Sequence, residues 1–66
     1  MGEIEKIVGK KSRRDVVSYL VKWKGFDSKF NTWERSQHLI NEGCQEAIDE
    51  FEEAHAVIVV NVISSL

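Results

Sequence analysis

With 66 residues, 42% of them hydrophobic and 30% charged, the chain has room for one domain. A chain this short buries only about 60% of the surface that its unfolded form exposes, so a large enclosed active site is not expected. The single cysteine, Cys44, cannot form an internal disulfide, and together with the distant His38 and His55 it cannot supply four zinc ligands. We therefore expect no metal and no cofactor, and an intracellular, reducing compartment.

The formal net charge of −2 is unevenly distributed along the chain. Residues 1–24 carry seven Lys and Arg against three Asp and Glu, whereas residues 25–66 carry two against eight. An acidic total argues against bulk affinity for nucleic acid but leaves room for a local basic patch. The N-terminus shows no signal-peptide pattern, and the apolar run at the C-terminus is too short to span a bilayer, so no membrane association is expected.

The first half of the chain predicts a β-hairpin. "EIEKIVGKK" alternates apolar and charged residues, as a strand with one wet face does. "KKSRRD" is a charged turn, and "VVSYLVKWK" is rich in β-branched and aromatic residues, with Val17, Tyr19, Val21 and Trp23 on one side. Gly25 and Asp27-Ser28 then break the run, and "NTWE" is a short third strand.

The next element has the period of a helix. Cys44, Ala47, Ile48, Phe51 and Ala54 form one apolar stripe at i, i+3, i+4 and i+7 spacing. Asn41 is placed for an N-cap with Glu42 in the first turn, so the pattern predicts a helix over roughly 42–55. One helix packed on a small antiparallel sheet, an α+β fold, buries both apolar faces.

The C-terminal run "VIVVNVISSL" fits neither period. Its uncharged, β-prone composition is one that tends to aggregate when exposed. Three alternatives stay open for residues 56–66: an extra strand, a dimer contact, or the start of something beyond the domain. An appended segment is a further reading of the same residues.

Five blocks, taken together, resemble a chromodomain of the heterochromatin-protein and Polycomb type over roughly residues 3–53, and we expect the domain to span residues 3–55. They are "EIEKIV", "YLVKWKGF", "NTWE", "HL" and the helix "EAIDEF", in that order and at family-like spacing. The resemblance implies a curved three-stranded antiparallel sheet with a C-terminal α-helix packed across it. It also implies a nuclear, chromatin-associated reader that binds a histone tail as an added β-strand and holds a methylated lysine in an aromatic cage.

The resemblance assigns cage positions to Trp23 and Phe26. The family takes its third ring from the position that Gly2 occupies here, so either a ring has been lost at this end or the cage is one ring short. Phe30 offers a substitute ring, with an exposed loop aromatic or an extra core contact as the alternatives. Trp33 corresponds to a packing residue of the family, and we expect it in the core together with Tyr19 and Phe51.

The peptide-binding positions carry over less cleanly. Glu3 and Ile4 lie in the segment that would pair with the peptide, and Glu34 matches the glutamate that contacts the peptide near the methyllysine. His38 stands where the family often has Asn, and an unpartnered surface histidine is the alternative. Arg35 replaces the usual proline, which leaves the geometry of that loop open.

Other function classes compete with histone reading. No Ser/His/Asp or Cys/His constellation has a scaffold at this size, so catalysis is not expected. A cluster of four cations at the hairpin tip could contact DNA or RNA phosphates weakly, although a solvated turn is the favoured reading: Lys10, Lys11, Arg13 and Arg14. A third reading is a protein-interaction domain that keeps the fold with an incomplete cage.

Overall fold

A computed structural model describes the backbone of residues 2–64 and the side chains of residues 2–55. The sheet is antiparallel in the order β1-β2-β3, and two helices follow it, which confirms the predicted α+β fold. A single 3₁₀ turn at Ser28–Phe30 precedes the third strand. The elements are β1 (Ile4–Arg13), β2 (Val16–Trp23), β3 (Thr32–Arg35), α1 (Ser36–Asn41) and α2 (Gln45–Ser64).

The hairpin turn is tighter than the sequence predicts. β1 continues through "KKSR" to Arg13, which pairs with Val16, so only Arg14 and Asp15 connect the strands. Both connecting residues have positive φ, 51° and 65°, which is the backbone of a type I′ turn. The right-handed twist of the flanking strands favours this turn, so the strands stay paired up to the tip.

The core lies on one face of the sheet, beneath the helices. Its buried side chains come from every layer: Ile7, Tyr19, Val21, Leu39 and Ile48. Val21 is fully buried and pairs with Ile7 on one side and with Thr32 on the other. The prediction that Tyr19 is a core residue is confirmed, and Phe51 packs half-buried against the same cluster.

The helix predicted over 42–55 begins later than predicted, at Gln45, because a separate short helix precedes it. Asn41 does not cap α2 but ends α1, and Gly43 follows with a φ of 79°. The amide of Cys44 donates to the carbonyl of Leu39 at 2.8 Å, and that of Gly43 donates to Ile40 at 3.0 Å. These two bonds form a Schellman motif, which ends α1 and lets α2 begin at Gln45.

The second helix also continues past residue 55 to Ser64. Neither Gly nor Pro interrupts this segment, and a helix already nucleated gains one hydrogen bond for each residue it adds. The extra strand that was one alternative for residues 56–66 is therefore not formed, although the last two residues lie outside the described backbone. Over the described part of the chain, neither helix is long and apolar enough to cross a membrane.

The prediction that Trp33 belongs to the core is wrong. Trp33 pairs with Leu20, and Leu20 points away from Tyr19 and Val21 because side chains alternate along a strand. Trp33 is consequently 44% exposed. It lies on the sheet face opposite the helices, which we call the outer face and which carries Lys11, Arg13, Val16, Ser18, Leu20, Trp33 and Arg35.

One residue of β2 ties the sheet to α2. The ring of Tyr19 meets Phe51 edge to face, with centroids 5.8 Å apart and planes at 77°. Its hydroxyl donates to Oε1 of Glu52 at 3.3 Å, and the same carboxylate pairs with Nζ of Lys10 at 3.0 Å. Tyr19 is therefore held to one turn of α2 both by apolar packing and by this polar cross-link.

This cross-link should be visible in a pH titration. Burial, and after it the negative charge of Glu52, raises the pKa of Tyr19 above its ordinary value of 10.0. The unfolded phenol ionises near pH 10, so between the two pKa values the unfolded state loses its proton first. The contribution of Tyr19 to stability is therefore complete below that window and falls as pH rises through it. We expect tyrosinate absorbance of the folded chain to titrate later than that of the urea-unfolded chain.

The absorbance reports on Tyr19 alone, since it is the sole tyrosine in the chain. Two variants act as controls for this titration. Glu52→Gln should bring the midpoint closer to the unfolded value by removing the charge. Tyr19→Phe should flatten the fall in the free energy of unfolding across the same window. The hydrogen bond to Glu52 also raises the pKa of Lys10, so some slope should persist in Tyr19→Phe. A folded midpoint equal to the unfolded one would contradict this account.

A second stability test uses neighbouring residues of α1. Leu39 is 1% exposed, whereas Ile40 is 43% exposed. Truncating a buried Leu to Ala removes its contacts and leaves a cavity, so Leu39→Ala should lower the free energy of unfolding by about 2–5 kcal/mol. Ile40→Ala should cost less than about 1 kcal/mol. Urea denaturation gives both values, and similar losses would show that Leu39 is not a core residue.

Candidate functional site

The candidate site begins where β2 ends, at Trp23. The amide of Phe26 donates to the carbonyl of Trp23 at 3.1 Å, which closes a four-residue turn. Gly25 takes the third position of that turn with a φ of 83°, a conformation that glycine adopts without steric cost. The turn presents Phe26 to solvent with 53% of its surface exposed, while Trp23 stays half-buried against the core.

A second phenylalanine comes to the same place from the 3₁₀ turn. The amide of Phe30 donates to the carbonyl of Asp27 at 2.9 Å, and this bond closes the turn that carries the ring. The rings of Phe26 and Phe30 meet edge to face, with centroids 5.9 Å apart and planes at 70°. Phe30 is 52% exposed, so the alternative of an extra core contact does not hold.

The indole of Trp23 is held by a chain of hydrogen bonds. Its Nε1 donates to Oγ1 of Thr32 at 2.8 Å, and the Thr32 hydroxyl donates to Oε2 of Glu34 at 2.9 Å. The sequence pattern placed Thr32 only within the third strand and gave it no part in the site. Its position two residues before Glu34 was the available signal, because residues two apart on a strand share a face.

A depression of about 250 Å³ lies beside Trp23, bordered by the N-terminal segment and by the end of α1. A Cβ at Gly2 would lie 3.8 Å from Cε3 of the Trp23 ring, an ordinary van der Waals distance. A side chain at position 2 would therefore start in contact with this ring. Glycine leaves that side of the indole without a covering ring.

Of the predicted peptide-binding residues, Glu3 and Ile4 line this depression. The carbonyl of Glu3 accepts the amide of Lys24 at 2.9 Å, and Ile4 pairs with Trp23, so both residues are aligned along β2. Across the depression, Glu42 lies at its wall and Nε2 of His38 stands 3.8 Å from the Glu42 carboxylate. In the described part of the chain β1 is an edge strand, and its outer edge pairs with no other strand.

The four cations predicted for nucleic-acid contact do not stay together. Lys10 faces α2 and pairs with Glu52 at 3.0 Å. Lys11, Arg13 and Arg14 surround a separate depression at the hairpin tip, and Arg35 of β3 joins them there. Within residues 2–55, no group of three or more His, Cys, Asp or Glu side chains is arranged to hold a metal ion.

Comparison with known proteins identifies the class to which this fold and site belong. The family model of the Chromo (CHRromatin Organisation MOdifier) domain matches residues 3–54. The chain therefore belongs to the chromodomain family, a family of binding modules, and this membership supports a general role in chromatin reading.

Several named proteins are similar to this chain. The human chromodomain Y-like protein is 46% identical over 54 residues, which cover 80% of this chain and 9% of that protein. The mouse chromodomain Y-like protein 2 is 44% identical over 54 residues, covering 80% and 10%. The human testis-specific chromodomain protein Y 1 is 42% identical over 50 residues, covering 74% and 9%. The chain thus spans about a tenth of the length of these relatives.

The hydrogen bonds at Trp23 can be tested directly. Thr32→Val keeps the shape of the side chain but removes the acceptor for the indole N–H. We expect the free energy of unfolding to fall by about 0.5–1.5 kcal/mol and the Trp23 indole proton to exchange faster with solvent. Thr32→Ser should preserve both properties. NMR hydrogen exchange measures the proton, with the Trp33 indole as internal reference, and equal behaviour of Val and Ser would exclude the bond.

Proposed function

We propose that this domain reads a methylated lysine on a histone tail, in a cage formed by Trp23, Phe26 and Phe30. The observation that carries the proposal is the pair of Phe26 and Phe30 rings, about half exposed and in edge contact, at the turn that starts from Trp23. Exposing two phenylalanines side by side costs hydrophobic free energy that burial would recover. A ligand that covers both rings offsets this cost.

The chemistry of the ligand follows from the rings. A trimethylated ammonium cannot donate hydrogen bonds, so its recognition depends on aromatic faces and on shape. Each ring attracts such a cation by about 0.5–2 kcal/mol, more where water is excluded. Phe30 would then take the role of the ring that Gly2 does not provide. Its partner Phe26 fixes its orientation through the edge-to-face contact.

Carboxylates around Trp23 favour a basic peptide. Glu3 and Glu42 line the depression next to the indole, and Glu34 is bonded to its positioning residue Thr32. Histone tails are rich in Lys and Arg, so these negative groups would steer such a peptide toward the site and help to set its register, although Glu3 also pairs with Lys24 at 3.2 Å. This arrangement supports a histone tail over a neutral or acidic peptide.

The peptide would bind as an added strand. The N-terminal segment at Glu3 and Ile4 already pairs with β2 on one side and exposes its other edge. Backbone hydrogen bonds along such an edge supply affinity, and side-chain pockets supply specificity. His38 lies next to Glu42, which lines the depression, and would hydrogen-bond the peptide from that side. We further propose that the protein acts in the nucleus, on chromatin.

The test compares trimethylated and unmethylated histone-tail peptides by titration calorimetry. Wild type should prefer the methylated peptide. Trp23→Ala should abolish the preference, because it removes the ring that joins the cage to the peptide groove. The matched control is Trp33→Ala, which removes a tryptophan from the outer face and should leave the preference unchanged. Equal binding of both peptides to wild type would exclude methyllysine reading and favour a chromodomain that binds another protein through an incomplete cage.

The role of Phe30 is tested separately in the same titration. If Phe30 is the third ring, Phe30→Ala should weaken binding of the methylated peptide by roughly 2- to 30-fold, and Phe26→Ala should have a similar effect. Binding of the unmethylated peptide should stay unchanged in both variants. A Phe30→Ala variant that binds like wild type would leave the cage with two rings, Trp23 and Phe26.

A further inference from the structure

The outer face of the sheet carries an ordered set of cations. Lys11 pairs with Ser18, and Ser18 pairs with Arg35, so these three residues form one row across all three strands. Arg13 stands two residues from Lys11 on the same face, and Arg14 follows in the turn. Along a strand such neighbours are about 7 Å apart, and across three strands about 10 Å, so each cation can meet a different anionic group.

These cations differ in their pairing from three other lysines in or beside the sheet. Lys10, Lys22 and Lys24 each form an ion pair with a glutamate, at 3.0–3.2 Å. By contrast, Lys11, Arg13, Arg14 and Arg35 are exposed, and none pairs with a carboxylate among the described side chains. They surround a depression of about 360 Å³. We call these four residues the basic surface.

An exposed tryptophan adjoins the basic surface. Trp33 precedes Arg35 by two residues and shares its face, and Nζ of Lys11 lies 4.2 Å from the centroid of the Trp33 ring. The ring is still 44% exposed with Lys11 in this position. The flexible lysine side chain can turn from the ring to an incoming anion. The sequence hides this neighbourhood, because Trp33 is 22 positions from Lys11 in the chain.

We propose that the outer face binds a single-stranded nucleic acid, with phosphates on the basic surface and a base stacked on Trp33. Clustered cations next to a solvent-exposed aromatic ring are the combination by which proteins hold single strands. Acidic proteins would satisfy the cations but would leave the tryptophan without a matched partner. A duplex would offer phosphates but no free base face, so the ring favours an unpaired strand.

This surface is separate from the proposed methyllysine site. Trp23 faces the core side of the sheet and Trp33 the outer side, since Trp23 belongs with Tyr19 and Val21. The nucleic-acid proposal therefore does not rest on the proposed histone reading. Each ligand can be titrated in the presence of the other, and failure of one site leaves the other unaffected.

The test is a fluorescence-anisotropy titration of the full chain with a labelled oligothymidine, its duplex of equal length, and a poly-glutamate peptide. Wild type should bind the single strand most tightly. Trp33→Ala should weaken that binding roughly fivefold or more, and Trp33→Phe should retain most of it, because stacking needs only a ring face. The slope of log affinity against log salt should be near −3, at about −0.7 for each of four phosphate contacts.

A matched pair of lysines tests the charged part of the surface. Lys11→Gln should weaken binding and reduce the salt slope by about 0.7, whereas Lys10→Gln, the same charge change on the helix side, should leave the slope unchanged. Urea denaturation should give similar free energies of unfolding for all these variants, which shows that they fold. Equal affinity for duplex and single strand, competition by poly-glutamate at equal charge, or insensitivity to Trp33→Ala would each overturn the proposal.

Discussion

The structure depends on one packing constraint, which is that a single helical layer covers only one face of a three-stranded sheet. Val21 lies at the centre of the covered face, fully buried between Ile7 and Thr32 on the neighbouring strands. Leu39 from α1 and Ile48 from α2 close over it. Every other large side chain must find a place at the rim of this core or on the uncovered face. The aromatic residues are distributed accordingly.

Trp23 lies at the rim of the core and contributes both to the fold and to the candidate site. Its ring packs against the core on one side, while its N–H reaches Thr32 and, through it, Glu34. The same interactions that hold the end of β2 therefore orient an indole toward the depression beside the N-terminal segment. A chain of this length has few residues to spare for a dedicated site, so residues that stabilise the fold also shape the binding surface. Phe26 and Phe30, on turns outside the core, are the exceptions.

The sequence predicted the elements better than it predicted their boundaries or the faces of their residues. Alternation in β2 predicted Tyr19 and Val21 as core, because the period of two is fixed by the strand itself. The face of Trp33 depends on the register between β2 and β3, which is a non-local property and has no sequence pattern of its own. Likewise the apolar stripe predicted α2, but the Schellman motif at Gly43 decided where it starts. The proximity of Lys11 and Trp33 could not be predicted from the sequence, because only the pairing of the strands brings the two residues together.

Charge separates the two proposed binding surfaces as clearly as geometry does. Glutamates border the depression beside Trp23, whereas the basic surface next to Trp33 carries four cations without carboxylate partners among the described side chains. A basic histone tail would be attracted to the first and repelled by the second, and a polyanion would behave in the opposite way. The net charge of −2 hides this division, since it sums two surfaces of opposite sign. On chromatin, where basic tails and nucleic acid lie close together, such a division would let one small domain hold both without either ligand blocking the other.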